Sequence, residues 1–127
     1  IMGEIIEVLG GTPVDFPRDA LCCGSYQILA NPEAALAAAA TIVNGAREAG
    51  AEALILSCPL CEYNLAKKQG EMQGAGKIGG PLPTYYFTQL LAVALGLGED
   101  VCRFELNDRV SATFLRDRGL PGCAPAV

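Results

Sequence analysis

The sequence predicts an α/β domain, a three-layer arrangement with a mainly parallel sheet, on two observations. The first is "ALILS", residues 53–57, a continuous apolar run of strand length between a helical pattern and a Cys-Pro turn. Such runs are expected of parallel strands covered on both faces. The second is the alternation of helical and extended patterns along the chain, which favours the α/β class and places strand-to-helix loops at the C-terminal edge of the sheet.

The elements follow in order. Residues 3–9 read as a helix with Ile5, Ile6 and Leu9 on one face, stopped by Gly10-Gly11. "TPVDF" reads as a short strand, with Pro13 at its start where a missing N–H is tolerated. Asn31-Pro32-Glu33 combines an N-cap residue, a proline suited to the first helical position and a first-turn acid. The helix it opens places Leu36, Ala39, Ala40, Val43 and Ala46 on one face and stops at Gly50. Pro59 opens a second helix to about Lys68. Residues 69–83, "QGEMQGAGKIGGPLP", read as a glycine-rich loop, and "TYYF" enters a helix through "TQLLAVALGL". A Gly-Pro-rich tail is expected to fray.

One domain fits the 127 residues, which are 51% hydrophobic and so able to build a real core. The opening "MGEIIEVLG" reads like a helix already under way, so residues 1–127 are expected to be a single, N-terminally truncated domain. No apolar run reaches membrane-spanning length and no signal-peptide pattern opens the chain, which reads as cytoplasmic. Net charge is −5 with scattered Lys and Arg, which argues against nucleic acid as a partner. The chain has no histidine, so Ser-His-Asp and Cys-His catalysis and His-ligated zinc are excluded. Chemistry falls to sulfur.

Two cysteine pairs stand out among the six cysteines: adjacent Cys22-Cys23, followed by Gly24, and Cys58-x-x-Cys61. Both lie in strand-to-helix connections, which can meet at the C-terminal edge of the sheet. The helix starting at Pro59 offers unpaired N–H groups that favour thiolates. Gly24 lets backbone pass close to bulky sulfur or inorganic atoms. Neighbouring side chains diverge, so Cys22-Cys23 suits a polynuclear cluster better than one tetrahedral ion. Zinc held by the same four cysteines, and free thiols with no cofactor, remain alternatives.

In "LCCGSYQILANPEAAL", "AGAEALILSCPLCEYNL" and "PLPTYYFTQLLAVALGL" the sequence resembles the cysteine-rich CCG domain of the heterodisulfide reductase B-subunit, a domain shared with succinate:quinone and glycolate oxidoreductases. The resemblance covers roughly residues 4 to 98 and looks like the C-terminal CCG copy of that B-subunit. It implies an iron–sulfur-dependent redox protein that reductively cleaves a small disulfide at a non-cubane 4Fe-4S cluster held by five cysteines. Cys22, Cys23, Cys58 and Cys61 would be four ligands, and the fifth position falls before Ile1. Catalysis would rest on cluster iron rather than on a side chain. The implied partners are the flavin-containing A-subunit and the ferredoxin-like iron–sulfur C-subunit of the same complex. In the fragment alone, which is expected to be inactive, zinc or no metal stays open.

Two further readings compete. A thioredoxin-like thiol oxidoreductase would use Cys58 as nucleophile and Cys61 as resolving thiol, but leaves Cys22-Cys23 idle. A non-catalytic scaffold would hold zinc. Cys102 and Cys123 are read as packing or tail residues. "GAGKIG" satisfies G-x-G-x-x-G but follows no strand, and reads as a loop. Lys67 and Lys68 face an anionic centre or simply end a helix, and Tyr85, Tyr86 and Phe87 read as core or interface.

Overall fold

The structure, a computed structural model, describes residues 1–119. Cys123 and the terminal tail lie outside the described residues. Helix α1 (Met2–Val8) is followed by an irregular stretch and a 3-10 turn at Ser25–Gln27. Helix α2 (Pro32–Glu48) begins as the sequence predicts: Asn31 accepts the Ala34 N–H at 3.1 Å and Pro32 takes the first turn. All five residues of its predicted face are buried, joined by Ala35 and Ile42. Strand β1 (Leu54–Leu56) runs into helix α3 (Pro59–Glu62), whose coil widens into a π turn over Tyr63–Lys67. Helix α4 (Gln69–Gly74) precedes strand β2 (Thr84–Tyr86) and helix α5 (Phe87–Ala94). The described part closes with α6 (Glu99–Cys102), a 3-10 turn at Phe104–Leu106 and α7 (Arg109–Asp117).

The predicted fold class is corrected. The described residues are mostly helical, and their only sheet has two parallel strands, with Leu54 opposite Thr84 and Leu56 opposite Tyr86. This is not a three-layer, mainly parallel architecture. The physical reason is a shortage of strand material. "TPVDF" forms no strand; it is hemmed by Pro13 and Pro17, which offer no N–H to a ladder. Phe16 instead packs against the core cluster and over Gly45 of α2, where an added Cβ would lie 3.2 Å from its ring.

The short sheet separates two apolar clusters. Leu54 and Leu56 of β1 join α2, Leu65, Met72, Ile78 and Leu82 in one. Tyr85 of β2 joins Ala92, Val93, Phe104 and Leu115 in the other, with Ile55 packed against it. Alternate strand residues face opposite sides, so the few strand residues serve both clusters. Tyr85 is thus a core residue: its hydroxyl donates to the Ser111 carbonyl at 2.6 Å and its ring stands edge-on to Phe104.

The predicted loop at 69–83 is also corrected in its first half. Gln69–Gly74 is helical because Met72 is completely buried and Gln69 makes a dense set of bonds. Gln69 accepts the Leu82 N–H at 2.6 Å and donates to the carbonyls of Leu65 and Leu82. Gly70 and Gly74 occupy the exposed face, where their low helix propensity is tolerated. "GAGKIG" therefore begins inside α4 and continues as an irregular turn, not as a strand-to-helix phosphate loop. Among the described residues no helix is long and apolar enough to cross a membrane.

Candidate functional site

Cys58 stands at the C-terminal end of β1 and caps α3 in extended geometry, with Pro59 in the first turn. This follows from the sequence: a strand ends, and proline can begin a helix but cannot continue a ladder. The backbone N–H groups of Cys61 and Leu60, at the start of α3, lower the Cys58 pKa from the ordinary thiol value. Cys61, one turn on, packs half-buried against the larger core cluster. Burial, followed by the hydrogen bond to Cys23 and the charges of Cys23 and Cys58, pushes its pKa up to about 12.

Cys23 arrives from the other motif. The chain turns at Gly24, whose φ of +78° lies in the left-handed region. An added Cβ there would sit 3.1 Å from the Ala38 Cβ and 3.4 Å from the Ala35 Cα. Both the turn and the close approach to α2 require glycine. The Cys23 thiol, 1% exposed, lies 3.4 Å from the Cys61 sulfur across 38 residues of sequence. Burial works against its ionisation, but the Ser25 hydroxyl and N–H, with Cys61 and Asn64, outweigh that and lower its pKa.

Three of the four predicted cysteines are thus brought together. Cys22 is not: it is exposed, as adjacent side chains on an irregular backbone diverge. Cys102 is buried in the smaller cluster as a packing residue, with its pKa raised by burial and by Asp100 and Glu99. Lys67 is engaged by Glu62 at 3.5 Å and by the Leu106 carbonyl, and Lys68 by Glu71 and the Tyr63 ring.

Two residues of the site escaped the sequence reading. Asn64, 1% exposed, donates through its side-chain amide to the Cys23 carbonyl and fastens the CCG loop to the helix that carries Cys61. Its signal was a lone polar residue three positions after the second cysteine, on the buried face of the helix. Tyr86, at the end of β2, packs with Cys61 against the larger core cluster, and its pKa is raised by burial and then by Glu62, Cys58 and Cys61. Tyr86 and Glu62 also border a cavity of about 520 Å³ reached by Lys67, Gln89 and Arg103.

In chemistry the neighbouring thiols suit a sulfur-ligated metal or cluster, and the chain has no imidazole to compete with them. In spacing the thiols are drawn in. Among the described residues no three Cys, Asp or Glu side chains surround a common metal position. Two thiolates on one tetrahedral metal lie about 3.8 Å apart, so ligation would spread Cys23 and Cys61 beyond their present 3.4 Å.

Comparison with known proteins places the sequence. The profile described as "Cysteine-rich domain", CCG, matches residues 1–66, which includes both cysteine pairs but not "PLPTYYFTQLLAVALGL". The chain is 28% identical over 116 residues to the B-subunit of the ferredoxin/F(420)H(2)-dependent CoB-CoM heterodisulfide reductase of Methanosarcina acetivorans, covering 88% of this chain and 38% of that protein. It is 27% identical over 114 residues to the B-subunit of the ferredoxin:CoB-CoM heterodisulfide reductase of Methanosarcina mazei, with the same coverage. A third relative, the 8-methylmenaquinol:fumarate reductase membrane anchor subunit of Wolinella succinogenes, is 29% identical over 93 residues, 73% of this chain and 33% of that protein. The chain spans between 33% and 38% of the length of these relatives. On the match to more than half its length, the chain belongs to the cysteine-rich CCG domain family and is related to the B-subunit of heterodisulfide reductase.

Proposed function

We propose that this domain is the thiol-ligand part of an iron–sulfur redox protein resembling the heterodisulfide reductase B-subunit, and corresponds to its C-terminal CCG copy. The observation that carries the reading is the 3.4 Å approach of Cys23 to Cys61. Two motifs 38 residues apart converge there through a buried amide and a close-packed glycine.

In this reading Cys23, Cys58 and Cys61 serve as ligands, and Cys22 joins them when its loop turns inward. A fifth cysteine would come from beyond residues 1–119. The bound cluster would supply single electrons and an iron centre with affinity for sulfur. The chain's own contribution is to hold thiolates with the N–H groups of Leu60 and Cys61, to exclude water by burying Cys23, and to border the substrate approach with Tyr86. A small disulfide would approach past Tyr86 and Glu62, which border a cavity that Lys67 and Arg103 reach and that none of the four proposed ligands lines. The flavin-containing A-subunit and the ferredoxin-like C-subunit of such a complex are the proposed partners.

A second reading has one observation in its favour. The low pKa of Cys58 beside the high pKa of Cys61 is the pattern of a nucleophile and a resolving thiol. It leaves the buried approach of Cys23 unused, so the cluster reading is preferred. Substitution separates the two: in the intact protein, Cys23→Ser should abolish iron–sulfur absorption together with disulfide reduction. Activity that survives Cys23→Ser and is lost only in Cys58→Ser would support the dithiol enzyme instead.

A further inference from the structure

We propose that, when metal-free, the chain forms a Cys23–Cys61 disulfide on meeting a peroxide, so that oxidation bonds the two motifs to each other rather than closing the C-x-x-C. The two sulfurs already stand 3.4 Å apart, at van der Waals contact. Bonding to about 2.05 Å needs only a short side-chain movement. The backbone around the pair is fixed from both sides. Asn64 holds the Cys23 carbonyl, and Gly24 seats the loop against Ala35 and Ala38 of α2. Cys61 lies within α3 and packs on the core. Cys58 stands outside the helix as the N-cap of α3, in extended geometry.

The step balances with hydrogen peroxide as the oxidant. One sulfur attacks a peroxide oxygen, the O–O bond breaks, and a sulfenic acid and one water result. The second sulfur attacks the sulfenic sulfur, the S–S bond forms, and a second water leaves. Two thiols lose two protons and two electrons, and the peroxide is reduced to two waters. The consequence rests on the proposed ligand assignment: the bond removes two thiolates from the ligand set, so the oxidised chain cannot load metal until it is reduced.

The test is peptide mapping. The reduced, metal-free chain is treated with hydrogen peroxide, its remaining thiols are blocked, and it is digested without reductant for mass spectrometry. The expected product is a linked pair of peptides carrying Cys23 and Cys61, abundant in wild type and retained in Cys58→Ser. A majority Cys58–Cys61 or Cys22–Cys23 link, or oxidation without any link, would overturn the proposal. The crosslink forms without metal, so its failure is distinct from failure of the cluster reading. A crosslinked chain that still takes up iron and sulfide at the wild-type level would overturn the ligand assignment and leave the disulfide standing.

Discussion

The side-chain amide of Asn64 donates to the carbonyl of Cys23, and the same nitrogen lies 3.5 Å from the carbonyl of Ala35. One buried amide therefore links the C-x-x-C helix, the CCG loop and the first turns of α2. Replacing it leaves a buried carbonyl without a donor, which costs about 1 to 3 kcal/mol. Asn64→Ala should lower the urea midpoint by that free energy without changing the slope of the transition. It should also reduce the yield of the Cys23–Cys61 crosslink, because the loop loses its anchor.

Gly24 and Gly50 make a paired test of the CCG turn. Both have positive φ, +78° and +85°, so alanine at either carries a left-handed backbone cost of roughly 1–2 kcal/mol. At Gly50 nothing lies within 4 Å of an added Cβ, whereas at Gly24 the Ala38 Cβ stands 3.1 Å away. Gly24→Ala should therefore destabilise more than Gly50→Ala in thermal or urea unfolding. Equal losses would mean that the loop does not sit close to α2.

The thiol pKa directions set an order of alkylation. Backbone N–H groups lower the Cys58 pKa, whereas burial and its sulfur neighbours push Cys61 up to about 12, so Cys58 carries the larger thiolate fraction of the two. Thiolate is the reactive form. Iodoacetamide labelling of the reduced chain from about pH 6 to about pH 9, followed by mass spectrometry, should modify Cys58 well before Cys61. Cys23 should lag despite its lowered pKa, because it is 1% exposed. Labelling of Cys61 first would contradict the arrangement of the helix start.

Part of this organisation was legible in the sequence because it rests on local chemistry. The Asn31-Pro32-Glu33 start and the buried face of α2 stand as read, the strand read over 53–57 is there at 54–56, and the helix opened by Pro59 is there with a π turn in its second half. What failed depended on partners far away in sequence. "TPVDF" has strand composition, but among the described residues no second strand pairs with it, and Phe16 packs on the core cluster beside α2. Glycines in 69–83 concealed a helix that exists because Met72 and Gln69 reach a core assembled elsewhere. In the candidate site, residue type and spacing singled out the two cysteine pairs as candidates. The partition into three converging thiols and an exposed Cys22 depends on backbone direction in an irregular loop, which spacing does not encode.

The central claim is that these thiols hold an iron–sulfur group, and its most direct measurement is iron and acid-labile sulfide per chain in the intact protein purified without oxygen. Iron and sulfide bound together, with visible absorption that disappears in Cys23→Ser, are the predicted result. Stoichiometric zinc without iron, or no metal alongside a freely titratable Cys58–Cys61 dithiol, would contradict it.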